Sequence, residues 1–452
     1  LRANQGIIRI IEKLKLATPE IVLGFTATRP DNFDDDQPVV NEDVCLFQDG
    51  IVLNDEEIWS KLLVQGEHKI NSEVILAIVK ESLSNGIGFE KIPEKIFDWC
   101  KGVITCSLAL CKAGKLLLFS NNGSLYGGYI EDDFYYASQK YFLEKIGCST
   151  IFQIGKEPYI TDIPLSESKL NVVDEQNRFE KCFTGFNFNK SQEKLLEYKK
   201  PDLKRCTRCI LPETMPFISF DEHGVCNYCR NYKPRNNPNP REELLRKLEP
   251  YRRAKGPDCI VPFSGGRDSS YALHVIVKEL GMKAIAYTYD WGMATELARR
   301  NISLMCGELG VEHILVASDI SKKRKYIRMN LKAWLKSPNL GLISLLTAGD
   351  KHFFKYIEHI KKQTGVDLNI WGTNPLEVTH FKAGFLGIPP DFEEKRVYMH
   401  GIKKQLRYHL KRFKAMSKNL GFFNESLWDT LSGEYFKSFK EKKDYYNLFD
   451  YW

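Results

Sequence analysis

The run Cys259-Ile260-Val261-Pro262-Phe263-Ser264-Gly265-Gly266-Arg267-Asp268-Ser269-Ser270 decides the fold of the larger part of this chain. Its first five residues form a short apolar run of the length of a strand buried on both faces. Two glycines follow, and then helical spacing from Asp268 to Leu280, stopped by Gly281. Glycines at a strand-to-helix turn let the backbone pass close to an anion, with several N–H groups pointing at it. The helix adds its positive N-terminal end, and the Ser264, Ser269 and Ser270 hydroxyls can donate hydrogen bonds. Ser264, Gly265, Gly266, Asp268, Ser269 and Ser270 are therefore the candidate phosphate cradle. Asp268 would repel a phosphate unless Mg²⁺ bridged the two. The plain alternative is a Gly-Gly turn before a capped helix. The lysine-bearing Walker string is absent, which argues against a kinase-type P-loop.

Outward from this run, strand and helix alternate. Lys283 to Tyr289 reads as a strand, Thr295 to Leu309 as a helix stopped by Gly310, Val311 to Ala317 as a third strand and Leu368 to Trp371 as a later one. Such alternation predicts an α/β fold, a doubly wound parallel sheet with ligands at the C-terminal ends of its strands. Just upstream, Cys206-Thr207-Arg208-Cys209 and Cys226-Asn227-Tyr228-Cys229 are separated by sixteen residues. Two Cys-x-x-Cys turns can complete a closed tetrahedral S₄ site, so Cys206, Cys209, Cys226 and Cys229 are candidate ligands of a structural Zn²⁺. An iron–sulfur site, two disulfides and unrelated thiols are the other readings of the same residues. Pro212, Phe217, Ile218 and Phe220 between the pairs suggest packing rather than base stacking.

The Ser264–Ser270 string resembles the pyrophosphate loop of the nucleotide α-hydrolase (PP-loop, HUP-like) superfamily. That resemblance implies cleavage of ATP to AMP and pyrophosphate, adenylation of a carbonyl or carboxylate oxygen, and displacement of AMP by nitrogen or sulfur. It also implies a second nucleotide contact after the next strand, at Thr288 and Asp290, and a third at Gly372, Thr373 and Asn374 with Glu377. From the residues alone, Asp290 could simply end a strand and Asn374-Pro375 could be a turn. The order of cysteine pairs and loop, with Thr295-Glu296-Leu297-Ala298-Arg299-Arg300-Asn301-Ile302 after the second strand, is similar to the bacterial N-acetyl sugar amidotransferases of surface-polysaccharide biosynthesis. The likeness covers roughly 201–390. It implies an acetamido sugar or sugar-nucleotide substrate, converted to an acetamidino group with ATP and ammonia. Arg267, Lys382 and Arg299 are the candidate positive charges for the departing pyrophosphate, with Asp268 beside them.

The N-terminal third reads as α+β. Helical spacing appears at Ile7–Leu14 and at Val74–Leu83, and strands at Ile21–Gly24, Val44–Phe47, Val103–Leu110 and Lys115–Phe119, with a hairpin turn at Cys111-Lys112-Ala113-Gly114. Leu23-Gly24-Phe25-Thr26, Gln48-Asp49-Gly50, Asn71-Ser72-Glu73-Val74-Ile75 and Tyr136-Ala137-Ser138-Gln139 resemble, in order, the class II glutaminase domain of asparagine synthetases. The fold implied is an N-terminal-nucleophile (Ntn) sandwich. The family's nucleophile is an N-terminal cysteine; this chain begins with Leu1 and has no cysteine before Cys45. Asp49 and Asn71 replace its glutamine-holding Asn and Asp, and Arg29 is the nearest arginine. The domain is expected to be truncated or degenerate, no catalytic residue is assigned to it, and ammonia is expected from elsewhere, such as a separate glutaminase subunit. The expected organisation is 1–165 glutaminase-like, 166–200 linker, 201–235 zinc module and 236–452 PP-loop domain.

The chain of 452 residues is 43% apolar and 27% charged with a formal charge of +7, values of a globular protein that permit an anionic partner without demanding one. No run reaches the roughly 18–20 apolar residues needed to cross a bilayer. A cytoplasmic location is expected, with neither membrane nor nucleic acid as partner, and a homodimer is compatible with it. Lys403, Lys404, Arg407, Lys411, Arg412 and Lys414 recur along a helical stretch with Leu406, Tyr408, Leu410 and Phe413. They read as a solvated basic face, or as a patch for a sugar nucleotide's diphosphate or RNA. The aromatic end from Tyr435 to Trp452 reads as packing, and both termini as cut short. The rival functions are a tRNA-modifying thiolase, which needs further loop cysteines where only Cys259 and Cys306 exist, asparagine synthetase-like amidation of a carboxylate, and a non-enzymatic zinc-ribbon module.

Overall fold

Leu116, Leu117, Leu118 and Phe119 point alternately to the two sides of one strand, and the first of two units is built on that alternation. The computed structural model describes residues 21, 23–24, 37–41, 43–62, 71–164, 201–233, 238–348, 350–374, 380–392, 402–438 and 443–452. The chain divides into Leu1–Phe183 and Thr184–Trp452. The expected linker at 166–200, the helix at Ile7–Leu14 and Arg29 lie outside the described residues.

The first unit contains β1 (Val39–Val40), β2 (Val44–Asp49), β3 (Thr105–Leu110), β4 (Lys115–Ser120), β5 (Tyr126–Ile130), β6 (Asp133–Ala137), β7 (Thr150–Gln153) and β8 (Tyr159–Asp162). They form two antiparallel sheets, β1-β2-β3-β4-β8 and β6-β5-β7. Leu117 and Phe119, with Leu46 and Leu108, bury against the helices Asp55–Lys61, Asn71–Ser84 and Ile92–Trp99. Leu116, Leu118 and Ala109 on the reverse face meet Leu125, Phe134 and Phe152 of the second sheet and its flanks. The helix Lys140–Ile146 lies against that second sheet. Helices, sheet, sheet and helix are the layers of an α+β sandwich. The expected hairpin is present, with Leu110 facing Lys115 across the turn. One expectation fails: Ile21, Leu23 and Gly24 join no ladder. Leu23 packs on the core of Leu116 and Leu118 instead, so its side chain serves packing rather than pairing.

The second unit holds β9 (Cys259–Pro262), β10 (Ala284–Asp290), β11 (Glu312–Ala317), β12 (Asn369–Trp371) and β13 (Tyr445–Asn447), all parallel, in the order β11-β10-β9-β12-β13. This is the expected α/β sheet. Ile260, Ile285, Tyr287 and Ile314 form its core with Ile357 and Ile360 of the helix Phe353–Thr364. The helix after β9 runs Arg267–His274 and continues through a wider π turn, Val275–Glu279, ahead of Gly281. The helix Glu296–Leu309 is capped by Thr295, whose side chain accepts from the Ala298 N–H, and ends at Gly310 in the left-handed conformation. Chain order runs outward from β9 through β10 to β11 and then jumps back to β12 on the other side of β9. The direction of winding therefore reverses between β9 and β12, where a doubly wound sheet opens its ligand crevice.

Candidate active site

The loop that leaves β9 at this reversal is the Gly-Gly string, and its shape is fixed from three sides. Phe263 N–H donates to the Tyr287 carbonyl (2.7 Å), and the Thr288 hydroxyl donates to the Phe263 carbonyl (2.5 Å), tying the loop to β10. Gly265 has φ +72°, and a Cβ there would come within 2.4 Å of the Ala298 carbonyl oxygen. Only a glycine can let the loop lie against the first turn of Glu296–Leu309. From the same helix Asn301 Nδ2 donates to the Gly265 carbonyl (3.0 Å). Gly266 then opens the helix Arg267–His274, and its carbonyl accepts from the Ser270 N–H at 2.9 Å.

Two of the three cradle hydroxyls are turned onto the loop. Ser269 Oγ donates to the Gly266 carbonyl (3.1 Å) and accepts from the Ser264 N–H (3.3 Å), and the Ser264 and Ser269 hydroxyls lie 3.1 Å apart. Arg267 and Asp268 are exposed in the helix's first turn. On the other side of β9, Gly372 follows β12, and a Cβ on it would meet Ala272 Cβ at 2.4 Å and the Asp268 carbonyl at 3.2 Å. Gly372 thus brings the end of β12 onto the loop helix by close packing. The next residue, Thr373, is gripped by Asn447 of β13: its N–H donates to Asn447 Oδ1 (2.9 Å) and its carbonyl accepts from Asn447 Nδ2 (3.0 Å). Asn374 follows, and Glu377 lies outside the described residues.

Thr288 and Asp290 are both buried on β10. Besides bonding Phe263, the Thr288 hydroxyl meets His313 Nε2 of β11 at 2.8 Å. Its proton goes to Phe263, so Nε2–H of His313 is the donor. Burial holds the His313 pKa down at about 4, so the ring is neutral at pH 7. Asp290 accepts from the Gly292 N–H (2.8 Å) and is ion-paired with Arg299. Arg299 is therefore not a free charge waiting for pyrophosphate, as its sequence position had suggested; it stiffens the wall with Asp290. Lys382 sits on the helix His380–Phe385, which packs on the cysteine module: a Cβ on Gly384 would meet Pro216 Cβ at 2.5 Å.

The structure thus sets Ser264–Ser270, Thr288, Asp290 and Gly372–Asn374 at the C-terminal ends of the neighbouring strands β9, β10 and β12. Asn301, His313 and Asn447 support them and were not singled out from the sequence. Asn301 stood within the quoted helix string, where a helix residue aimed at the loop carried the available signal. His313 and Asn447 come from other strands and had none.

In the cysteine module the sulfurs of Cys206, Cys209, Cys226 and Cys229 lie within 4.8 Å of one another. Cys206 Sγ is 3.9 Å from Cys229 Sγ, and Cys209 Sγ is 3.5 Å from Cys226 Sγ. A tetrahedral S₄ shell with metal–sulfur bonds of about 2.3 Å has edges of roughly 3.8 Å, so the four thiols fit zinc. Burial disfavours the Cys206 thiolate, but N–H groups of Cys209, Cys226 and Arg208 outweigh it and bring its pKa to about 6. Such N–H to sulfur bonds suit a thiolate ligand. The module is anchored by Tyr228, whose ring meets Phe392 edge-on with centroids 5.5 Å apart.

No helix among the described residues is long and apolar enough to cross a membrane. No family model and no curated protein matches the chain. Among solved structures, it is similar to a predicted subunit of tRNA methyltransferase from Methanocaldococcus jannaschii, with 18% identity, 34% of this chain and 64% of that chain covered, and a TM-score of 0.19. An NH3-dependent NAD synthetase from Campylobacter jejuni matches at 12% identity over 44% of this chain and 96% of its own, TM-score 0.23. The glutamine phosphoribosylpyrophosphate amidotransferase from B. subtilis matches at 12% identity over 83% of each chain, TM-score 0.24. At this degree of overlap none of the three bears on what the site binds.

Proposed function

We propose that the second unit is an AMP-forming, ATP-dependent amidotransferase that acts on an acetamido sugar or sugar nucleotide. The observation that carries this reading is the left-handed Gly265 loop, set at the reversal between β9 and β12 with a helix N-terminus behind it. A loop of that shape grips the β and γ phosphates through N–H groups and leaves the α-phosphorus toward the crevice. The acetamido oxygen attacks the α-phosphorus and pyrophosphate departs, so the oxygen becomes part of a good leaving group. Ammonia then adds to the carbon, AMP leaves with the oxygen, and loss of a proton gives the amidine.

In this reading Gly265 and Gly266 supply N–H donors, and Ser264, Ser269 and Ser270 form the cradle's rim. Asp268 is the residue to hold Mg²⁺, whose charge offsets that of the triphosphate. Arg267 and Lys382 stabilise the departing pyrophosphate. Thr288, Asp290, Gly372 and Asn374 shape the nucleotide's walls. Cys206, Cys209, Cys226 and Cys229 hold a structural Zn²⁺. The nitrogen comes from ammonia, free or delivered by a separate glutaminase subunit. Against a thiolase, Cys259 and Cys306 are fully buried, and burial raises both thiols, Cys306 to about 12, so neither is a thiolate at neutral pH.

The test supplies ATP, Mg²⁺ and ammonium with a panel of acetamido sugar nucleotides. The expected products are AMP, pyrophosphate and a sugar in which NH has replaced O. Formation of ADP overturns the phosphate-loop reading, and AMP formed only with a carboxylate substrate moves the reading to asparagine synthetase-like amidation.

A further inference from the structure

We propose that the outer face of the helix Ile402–Met416 docks in the plane of an anionic lipid surface. The inference is independent of the ATP chemistry. One side of this helix is spoken for: Tyr408, Ala415 and Met416 pack with Phe422 and Leu345, and buried Arg412 pairs with Glu434 at 3.3 Å. The opposite side is open. At 100° per residue, Leu406, Leu410 and Phe413 fall on one flank of it and Lys403, Arg407, Lys411 and Lys414 on the other. The three apolar side chains are 52%, 61% and 59% exposed, and the four cations are exposed as well. None of the four has a carboxylate partner among the described residues.

Charge and geometry select the occupant. A second copy joined through this face by a two-fold axis would set cations against cations. A diphosphate would engage neighbouring cations such as Arg407 and Lys411, one turn apart, but would leave Leu406, Leu410 and Phe413 uncovered. A nucleic acid would neutralise the cations but leave the exposed Leu406 and Leu410 wet. An anionic bilayer satisfies both flanks: the leucines and Phe413 enter the headgroup boundary while the long cationic side chains reach lipid phosphates. Such docking needs no spanning segment, because the helix lies flat in the headgroup plane.

The full chain is sedimented with vesicles of phosphatidylcholine alone and of phosphatidylcholine with phosphatidylglycerol. It is expected to pellet with the anionic vesicles only, and to be released by salt. Arg407→Glu with Lys411→Glu, and separately Leu406→Ser with Leu410→Ser, should each lower partitioning about tenfold or more. Because the altered side chains are exposed, both variants should keep the native melting temperature. The proposal is overturned if the unaltered chain ignores anionic vesicles, if folded variants partition as it does, or if it binds an RNA oligonucleotide and no vesicle. The first of these outcomes needs no variant.

Discussion

Gly265 is where conformation and contact coincide. Its φ of +72° costs an ordinary residue about 1–3 kcal/mol, and a Cβ would also press on the Ala298 carbonyl at 2.4 Å. Gly265→Ala should lower the melting temperature by several degrees and abolish ATP-dependent AMP release. Gly266 has φ −81°, and a Cβ there would meet only Ser264 Oγ at 3.4 Å. Gly266→Ala should fold with near-native stability, and any loss of AMP formation then reports on nucleotide approach rather than on the fold. Equal melting temperatures for the two variants would remove the argument for Gly265. Adjacent glycines with unlike roles could not be told apart in the sequence, because the difference lies in Ala298, thirty-odd positions away in the chain. For the same reason the Ser264–Ser270 string was legible and the Arg299–Asp290 pair was not: a loop writes its chemistry locally, while an ion pair between elements leaves no spacing to read.

At the scale of elements, long periodic segments with clear stops were legible. Gly281 and Gly310 both take the left-handed conformation expected of helix ends. The strand β13 was not, because Tyr445-Tyr446-Asn447 is too short to show alternation. The cysteine module is the clearest case of spacing becoming geometry, with sixteen intervening residues folding so that four sulfurs meet. With few buried apolar side chains of its own, residues 201–233 should depend on metal for their order. The expected result is about one zinc per chain by elemental analysis. Chelation should open this segment to protease, and Cys226→Ser should abolish zinc retention. Full protease resistance of the metal-free protein would mean that packing on Phe392 and Gly384 suffices without it.

Across the second unit as a whole, the candidate site joins residues on, or just after, every strand of one sheet. Asn447 alone holds both the N–H and the carbonyl of Thr373, so Asn447→Ala leaves two backbone groups without these partners. Destabilisation of about 1–3 kcal/mol is expected, along with a KM for ATP raised more than kcat is lowered. An unchanged KM would show that the Gly372–Asn374 segment keeps its place without β13. The α/β class and the loop were legible at this scale because repeated strand–helix units carry their own signal. Completion of the sheet by β13 depends on pairing Asn369 with Tyr445 across a long intervening segment, which local patterns do not encode.

That late partner bears on how the protein comes into being. During synthesis the Gly265 loop, the cysteine module and the strands β9 to β12 emerge before Tyr445–Asn447, so β12 must wait with a bare edge. A nascent chain arrested short of residue 447 would carry the residues assigned above and still lack the side chain that holds Thr373. Nucleotide affinity should therefore appear abruptly as the emerging chain passes that point, rather than grow with each added helix.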